Sequence, residues 1–145
     1  KTNKVVNVKK GQFLSPDAMK FIVEKIRSVG NNKVMLTERG TMFGYHDLVV
    51  DFTGIPTMQA NDVPVIVDCT HSLQKPNQKN GVSGGSPQFI ETLAKAAVAI
   101  GSEGIFIETH PNPSLAKSDG KSMVEIKLLD EILIKLVAIR NVISL

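Results

Sequence analysis

Four short apolar runs recur along the chain, and their spacing restricts the possible fold more than any other feature. They occupy residues 5–8, 33–37, 64–68 and 104–108 and are rich in valine and isoleucine. Continuous runs of this length are typical of parallel strands covered on both faces. A helical or helix-length segment separates each run from the next, as in βαβ units. The sequence therefore predicts an α/β fold.

Helix signals fall between and after these strands. Ser15 and Pro16 form an N-cap followed by a proline at the first helical position, and Gly30 follows the end of the same pattern. Gly54 and Pro56 are expected to break or shorten another helical segment. The predicted segments cover about 16–29, 48–60 (short or broken), 87–100 and 127 to the C-terminus.

The 145 residues suffice for one ordinary domain. Four βα units could form a small doubly wound sheet or half of a (β/α)₈ barrel, which needs roughly 250 residues to close. Periodicity alone does not decide between them. Because the chain opens directly in a strand-like run and stops inside a helix-like pattern, both ends read as cut.

Composition excludes several classes of function. The net charge is only +3, and aromatic residues make up 5% with no Trp, so we expect no nucleic-acid partner. We expect no membrane span, since no apolar run approaches the ~20 residues that one requires. The single cysteine, Cys69, excludes an internal disulfide framework and a thiolate zinc cluster, and is expected to be a packing residue. Anionic small substrates suit this charge balance.

Polar residues collect where each predicted strand ends. In α/β folds, ligands bind at the carboxyl ends of strands, so these side chains are expected to converge on one site. The N-terminal ends of the strands carry nothing comparable. The clusters occupy residues 9–12, 38–40, 68–72 and 108–111.

Two cations in these clusters are candidate anion binders. Arg39 offers a planar fork that matches phosphate or carboxylate, and Lys9 offers a point charge. Both could instead be solvated charges, and Arg39 could pair locally with Glu38. The glycine-rich segment 80–86, before a predicted helix, could cradle a phosphate or act as a mobile lid.

A second group of side chains could bind a metal or transfer protons. Imidazole and carboxylate ligands suit Zn²⁺, Fe²⁺ or Mn²⁺. Glu108 and His110 are two residues apart, so at a strand end they project to the same side. His71 could instead be a structural histidine, and Asp119 a turn residue. The candidates are His71, Glu108, His110 and Asp119.

Together these strings resemble the family of 3-deoxy-D-manno-octulosonate 8-phosphate synthases, in the family's order and spacing across nearly the whole chain. The resemblance implies a TIM (β/α)₈ barrel, of which residues 1–145 would form the C-terminal half, with about the last four βα units. We therefore expect a fragment, or a chain that pairs with another to complete the barrel. The matching strings are NVKKGQF (7–13), TERGTMFGY (37–45), LVVDF (48–52), DCTHS (68–72), SGG (83–85), ETHPNP (108–113) and SDG (118–120).

The resemblance also implies an enzyme that condenses phosphoenolpyruvate with D-arabinose 5-phosphate and water for lipopolysaccharide (Kdo) biosynthesis. It implies a cytoplasmic homotetramer. Lys9, Arg39 and, as a weaker candidate, Gln12 would bind phosphoenolpyruvate, and His110 would lie at the rim near substrate. A divalent metal (Zn, Fe or Mn) would be held by His71, Glu108 and Asp119 and by a cysteine outside this chain.

Three alternatives accompany this interpretation. The family has a metal-independent branch, although TERG (37–40) and SDG (118–120) favour the metal-dependent one. The related 3-deoxy-D-arabino-heptulosonate 7-phosphate synthase would use erythrose 4-phosphate instead. A non-catalytic module built on half a barrel is disfavoured because the substrate-binding set is intact. The isolated chain is nevertheless expected to be inactive, since it cannot form the whole site.

Overall fold

The computed structural model describes residues 3–43, 47–75 and 84–144. Its strands are β1 (Val6–Lys9), β2 (Val34–Glu38), β3 (Thr41–Met42), β4 (Leu48–Val49), β5 (Val65–Asp68), β6 (Gln74–Lys75), β7 (Gly84–Gly85), β8 (Gly104–Phe106), β9 (Thr109–His110) and β10 (Val124–Glu125). Its α-helices are α1 (Met19–Arg27), α2 (Gly54–Gln59), α3 (Ile90–Ala99) and α4 (Leu129–Ile143).

A four-stranded parallel sheet organises the fold. Its order is β1-β2-β5-β8, and helices α1, α2 and α3 lie in the three connections. The predicted α/β class and the four predicted strands are therefore confirmed. Strand order follows chain order, so the described sheet lacks the reversal that characterises a doubly wound sheet. Sequential winding of this kind is the pattern of a (β/α) barrel.

The fourth strand of the sheet ends two residues before the predicted boundary at residue 108. Its last pair joins Phe106 to Asp68, where β5 also ends. Beyond that pair, the backbone N–H of Glu108 donates a hydrogen bond to Thr70 Oγ1 at 2.8 Å. Glu108 is thus positioned by a side chain rather than by the sheet ladder.

The helix predictions are confirmed in position and refined in extent. Ser15 Oγ accepts a hydrogen bond from the backbone N–H of Ala18, and α1 follows one residue later. Of the broken or short helix predicted within residues 48–60, the short form is observed: α2 has six residues, and Pro56 lies in its first turn, where a missing N–H costs nothing. Short 3₁₀ turns, Pro87–Phe89 and Ile126–Leu128, precede α3 and α4.

Strand register divides the side chains of the sheet between two faces, because paired residues of parallel strands share a face. Leu36 pairs with Val65, and both belong to the apolar core that the helices cover. The remainder of that core is drawn from Met19, Val23, Val34, Ile55, Met58, Val63, Val67, Cys69, Ile90, Ala94, Ala97, Val98, Val124, Ile132 and Leu136. Within the described residues, no helix combines the length and apolarity needed to cross a membrane.

Adjacent lysines at the end of β1 lie on opposite faces because side chains alternate along a strand. The side chain of Lys10 is completely buried; its Nζ lies 3.5 Å from Glu38 Oε1 and donates to Thr41 Oγ1 at 3.0 Å. The side chain of Lys9 is 38% exposed and reaches Asp68 instead. The helix-covered face therefore contains a structural ion pair, and the open face contains the candidate site.

Candidate active site

Lys9 and Asp68 form an ion pair at the carboxyl ends of β1 and β5. Lys9 Nζ donates to Asp68 Oδ2 at 2.6 Å and lies 4.8 Å from the centre of the Phe106 ring. Phe106 pairs with Asp68 across the sheet, so both side chains lie on the open face. Lys9 is thus held over this face by one carboxylate and one aromatic ring.

His71 follows β5 directly, in a short 3₁₀ turn. Asp68 Oδ1 shapes that turn by accepting hydrogen bonds from the backbone N–H groups of Thr70 (3.1 Å) and His71 (2.8 Å). The other oxygen, Asp68 Oδ2, lies 2.8 Å from His71 Nδ1. His71 Nε2 then lies 3.3 Å from Glu108 Oε2, so the imidazole bridges two carboxylates.

Burial by itself would raise the pKa of Asp68, but the hydrogen bonds from His71 and Lys9 outweigh it and hold the pKa below its usual range. Asp68 is therefore an ionised carboxylate at neutral pH. An ionised carboxylate only accepts hydrogen bonds, so His71 carries a proton on Nδ1.

The predicted metal ligands His71, Glu108 and Asp119 come together. Each offers one ligand atom, and these atoms all lie within 4.8 Å of one another. Asp119 has a φ of +51°, a left-handed conformation that Asp tolerates better than most residues and that is frequent at functional sites. One imidazole nitrogen and two carboxylate oxygens suit Zn²⁺, Fe²⁺ or Mn²⁺, so the donor set fits a divalent metal.

Arg39 lies beside this cluster. Its Nη2 donates to the backbone carbonyl of His71 at 2.9 Å and to Gln74 Oε1 at 3.1 Å. Burial lowers the pKa of the Arg39 guanidinium, while the carboxylates of Asp68 and Glu38 partly oppose that effect. Its Nε is buried without a hydrogen-bond partner among the described residues, which leaves a donor for an anion.

Two predicted site residues do not join the cluster. The described part of the chain gives the Gln12 side chain no hydrogen-bond partner, and its backbone carbonyl accepts from Met42. His110 lies in β9, which pairs with β10, and its Nδ1 accepts a hydrogen bond from the backbone N–H of Asn112 at 3.0 Å. Proximity along the chain to Glu108 therefore does not bring His110 to the metal ligands.

Sequence reasoning missed two residues that connect the site. Asp68 belongs to the polar cluster at residues 68–72, but no role was predicted for it from the sequence. Gln74 was not considered, although its Oε1 accepts from Arg39 and its Nε2 donates to Asp119 Oδ1 at 2.8 Å. The signal for Asp68 was its place at the end of a strand, directly before a histidine turn.

The glycine-rich segment predicted as a phosphate cradle or lid falls partly outside the described residues, at 80–83. Its remaining glycines form β7, which pairs with β6 and so supports Gln74. A Cβ at Gly85 would collide with Lys121 and Ser122, so only glycine allows β7 this close to the Asp119 loop. Cys69, predicted to be a packing residue, is fully buried, and this burial raises the pKa of its thiol to about 12.

Comparison with known proteins shows the family to which the chain belongs. The model of the DAHP synthetase I family matches residues 1–144. A 2-dehydro-3-deoxyphosphooctonate aldolase of Koribacter versatilis is 51% identical over 99% of this chain and 52% of that protein. Proteins of the same name from Chelativorans sp. and Agrobacterium fabrum are 52% and 51% identical over 95% of this chain and 50% and 49% of their own lengths.

This chain thus spans about half the length of these relatives. Their names confirm the resemblance to octulosonate phosphate synthases that the matching sequence strings indicated. The chain belongs to the DAHP synthetase I family.

Proposed function

We propose that this chain is part of an enzyme that condenses phosphoenolpyruvate with D-arabinose 5-phosphate and water, giving 3-deoxy-D-manno-octulosonate 8-phosphate and phosphate. The observation that carries the proposal is the meeting of Lys9 and Arg39 with the His71–Glu108–Asp119 cluster at one end of the sheet. Relatives named 2-dehydro-3-deoxyphosphooctonate aldolase support this choice of reaction. It would serve Kdo synthesis for lipopolysaccharide.

We further propose that residues 1–145 form the C-terminal half of one (β/α)₈ barrel domain. Four sequential parallel strands and half the length of the relatives support this. The side chains of the open face, such as Lys9 and Phe106, are only partly covered in this chain. The other four βα units would close that face into the barrel interior, and the isolated chain would be inactive without them.

Lys9 and Arg39 would bind phosphoenolpyruvate. The ligand has a carboxylate and a phosphate, which require cations or N–H donors at a defined separation. Arg39 has a donor to spare at Nε, and Lys9 is exposed enough to be reached. Gln12 remains a weaker candidate for the same pocket, and His110 a candidate at its rim.

His71, Glu108 and Asp119 would hold one divalent cation (Zn, Fe or Mn), with a fourth ligand, a cysteine, from outside this chain. When bound, such a cation would polarise the aldehyde oxygen or a water molecule. His71 would bind through Nε2, because Asp68 keeps the proton on Nδ1. Gln74 would orient Asp119 through its Nε2–H.

In the proposed reaction, C3 of phosphoenolpyruvate forms a bond to the aldehyde carbon of the sugar. Water then adds at C2, and the C2–O bond to phosphate breaks as the keto group forms. Lys9 and Arg39 would fix the phosphoenolpyruvate anion beside the aldehyde, which converts an encounter of two anions into a reaction within one complex. In the metal-independent alternative, His71, Glu108 and Asp119 would instead act as proton-transfer and hydrogen-bonding groups.

The complete protein would act as a homotetramer in the cytoplasm, without nucleic-acid or membrane partners. Its partners in the reaction would be the two phosphorylated substrates. The tetramer and its location rest on the resemblance to the octulosonate phosphate synthases, and the expectation of no nucleic-acid or membrane partner rests on charge, aromatic content and the length of the apolar runs.

A second candidate is the condensation of phosphoenolpyruvate with erythrose 4-phosphate. The description of the matching family, DAHP synthetase I, favours it, whereas the names of the most similar relatives do not. Both reactions would use the same cations and metal ligands. They differ only in the length of the aldose.

Phosphate release by the complete protein that carries this chain tests the proposal. Phosphoenolpyruvate is supplied with either arabinose 5-phosphate or erythrose 4-phosphate, each with and without EDTA. We expect release only with the pentose phosphate, and its loss in EDTA. Release only with the tetrose phosphate would establish the second candidate. EDTA-resistant release would remove the metal role, and no release with either sugar would contradict both candidates.

A further inference from the structure

One carboxylate contacts both functional parts of the site. Asp68 is 0% exposed, and its Oδ2 lies 2.6 Å from Lys9 Nζ and 2.8 Å from His71 Nδ1. Its Oδ1 accepts hydrogen bonds from the backbone N–H groups of Thr70 and His71, which prevent the carboxylate from rotating away from either Lys9 or His71. Lys9 belongs to the proposed anion site and His71 to the proposed metal site.

We propose that Asp68 is a positioning residue that couples anion binding at Lys9 to metal binding at His71, through the oxygen that both contact. This inference rests on the proposed function. When an anion binds Lys9, the ammonium group of Lys9 interacts less strongly with Asp68 Oδ2. Asp68 Oδ2 then becomes a stronger hydrogen-bond acceptor for His71 Nδ1–H. A stronger acceptor at Nδ1 makes Nε2 a better ligand. Because coupling between binding sites is reciprocal, the metal must favour the anion by the same factor.

The geometry at His71 Nε2 supports this role. With the proton on Nδ1, Nε2 presents a lone pair toward Glu108 Oε2 at only 3.3 Å. Two electron-rich atoms this close are suited to hold a cation between them. The strength of the Asp68–His71 hydrogen bond therefore bears directly on how well the site takes a cation.

Direct attraction between a bound cation and an anionic substrate would also couple the two sites. Asp68→Asn separates these explanations, because it preserves the shape of the side chain and removes its charge while leaving that attraction in place. Asp62→Asn is the matched control. Asp62 is exposed, and its φ of +54° is one that Asn tolerates equally well.

The first measurement is ¹⁵N NMR of the His71 ring in the metal-free, substrate-free complete protein. We expect the Nδ1–H tautomer in the wild type and in Asp62→Asn, and a shift toward Nε2–H in Asp68→Asn. A merely structural role for Asp68 would not move the tautomer of a folded protein. An unchanged tautomer in Asp68→Asn would overturn the positioning role.

The second measurement is Co²⁺ titration with and without phosphoenolpyruvate. Asp68→Asn should weaken Co²⁺ binding by roughly 10–100-fold, as is usual when the outer partner of a metal-bound histidine is lost. Phosphoenolpyruvate should raise the affinity of the wild type for Co²⁺ by about 5–150-fold, and this factor should fall toward one in Asp68→Asn. No coupling in the wild type, or equal coupling in the variant, would contradict the proposal.

Lys9→Met provides a second route if Asp68→Asn does not fold, as judged by circular dichroism. It frees Asp68 Oδ2 for His71, so Co²⁺ should bind several-fold more tightly, and unchanged or weaker binding would contradict the coupling. The tautomer and the substrate-free Co²⁺ titrations involve no turnover. They can succeed even if no octulosonate phosphate is formed, so failure of the proposed function and failure of this inference remain distinguishable.

Discussion

The two faces of the sheet each carry one ion pair, and the two lysines involved are neighbours in the sequence. On the helix-covered face, Lys10 and Glu38 are separated by 3.5 Å, and their side chains are 0% and 3% exposed. On the open face, Lys9 and Asp68 are separated by 2.6 Å, and the lysine side chain is 38% exposed. The same pair of functional groups thus exists in two environments.

The difference lies in what else each pair contacts. The buried pair is satisfied locally: Lys10 also donates to the backbone carbonyl of Leu14 and to Thr41, and Glu38 accepts from the Gly40 N–H. In the pair on the open face, Asp68 also contacts His71 of the candidate metal site. Burial therefore assigns one lysine to stability and leaves the other available for an anion.

The largest expected effect is on the open face. His71→Ala in the complete protein should lower metal affinity and activity by more than about 100-fold, because losing a ligand exceeds the cost of losing its outer partner. Metal content after dialysis and phosphate release measure the two effects. His110→Ala is the control and should retain metal, since His110 lies outside the cluster. Full activity of metal-free His71→Ala would contradict the metal role.

Breaking the pair on the covered face should affect stability instead. Glu38→Gln leaves Lys10 buried without its counter-charge and should lower the free energy of unfolding by about 3–5 kcal/mol. Urea denaturation of the complete protein measures this change. Glu24→Gln breaks the exposed Lys20–Glu24 pair and should cost less than about 1 kcal/mol. Equal costs for the two variants would show that burial does not distinguish the pairs.

Arg39→Lys tests whether the open face recognises an anion by shape as well as by charge. Lysine keeps the charge but loses the planar fork and the Nε donor, so phosphoenolpyruvate should bind roughly 10–100-fold more weakly. Isothermal titration calorimetry measures the affinity. Arg27→Lys should leave it unchanged, because the half-buried Arg27 lies at the end of α1 and donates only to the backbone carbonyl of Asp62 among the described residues. Unaltered binding by Arg39→Lys would remove Arg39 from the anion site.

The smallest expected effect concerns Cys69, whose thiol is fully buried. A thiol without solvent access does not react with iodoacetamide, so we expect no label in the native protein and complete labelling in guanidinium. Mass mapping of the peptide that carries Cys69 gives the readout. Rapid native labelling would show that the covered face opens readily.

Much of the fold and part of the site could be predicted from this sequence. The strands follow from apolar runs, and His71 and Glu108 stand out as polar residues at strand ends. Asp119 lies in a turn, and the grouping of these three residues as metal ligands came from the resemblance to the octulosonate phosphate synthases. The opposite orientations of Lys9 and Lys10 depend on where β1 begins, and a shift of one residue would exchange them. Gln74 contacts Arg39 and Asp119, and Asp68 contacts Lys9, all far along the chain, and no local pattern marks those contacts. His110 lies outside the metal-ligand cluster because the chain leaves the sheet before reaching it, and its place at the rim stays a prediction.

The most direct test of the contrast between the two faces is to compare Lys9→Met with Lys10→Met in the complete protein. Urea denaturation and phosphoenolpyruvate titration are performed on both variants. We predict that Lys9→Met loses phosphoenolpyruvate binding with little loss of stability, and that Lys10→Met loses far more stability while the protein that remains folded still binds phosphoenolpyruvate. Equal losses of stability, or phosphoenolpyruvate binding that depends on Lys10 rather than Lys9, would contradict the account.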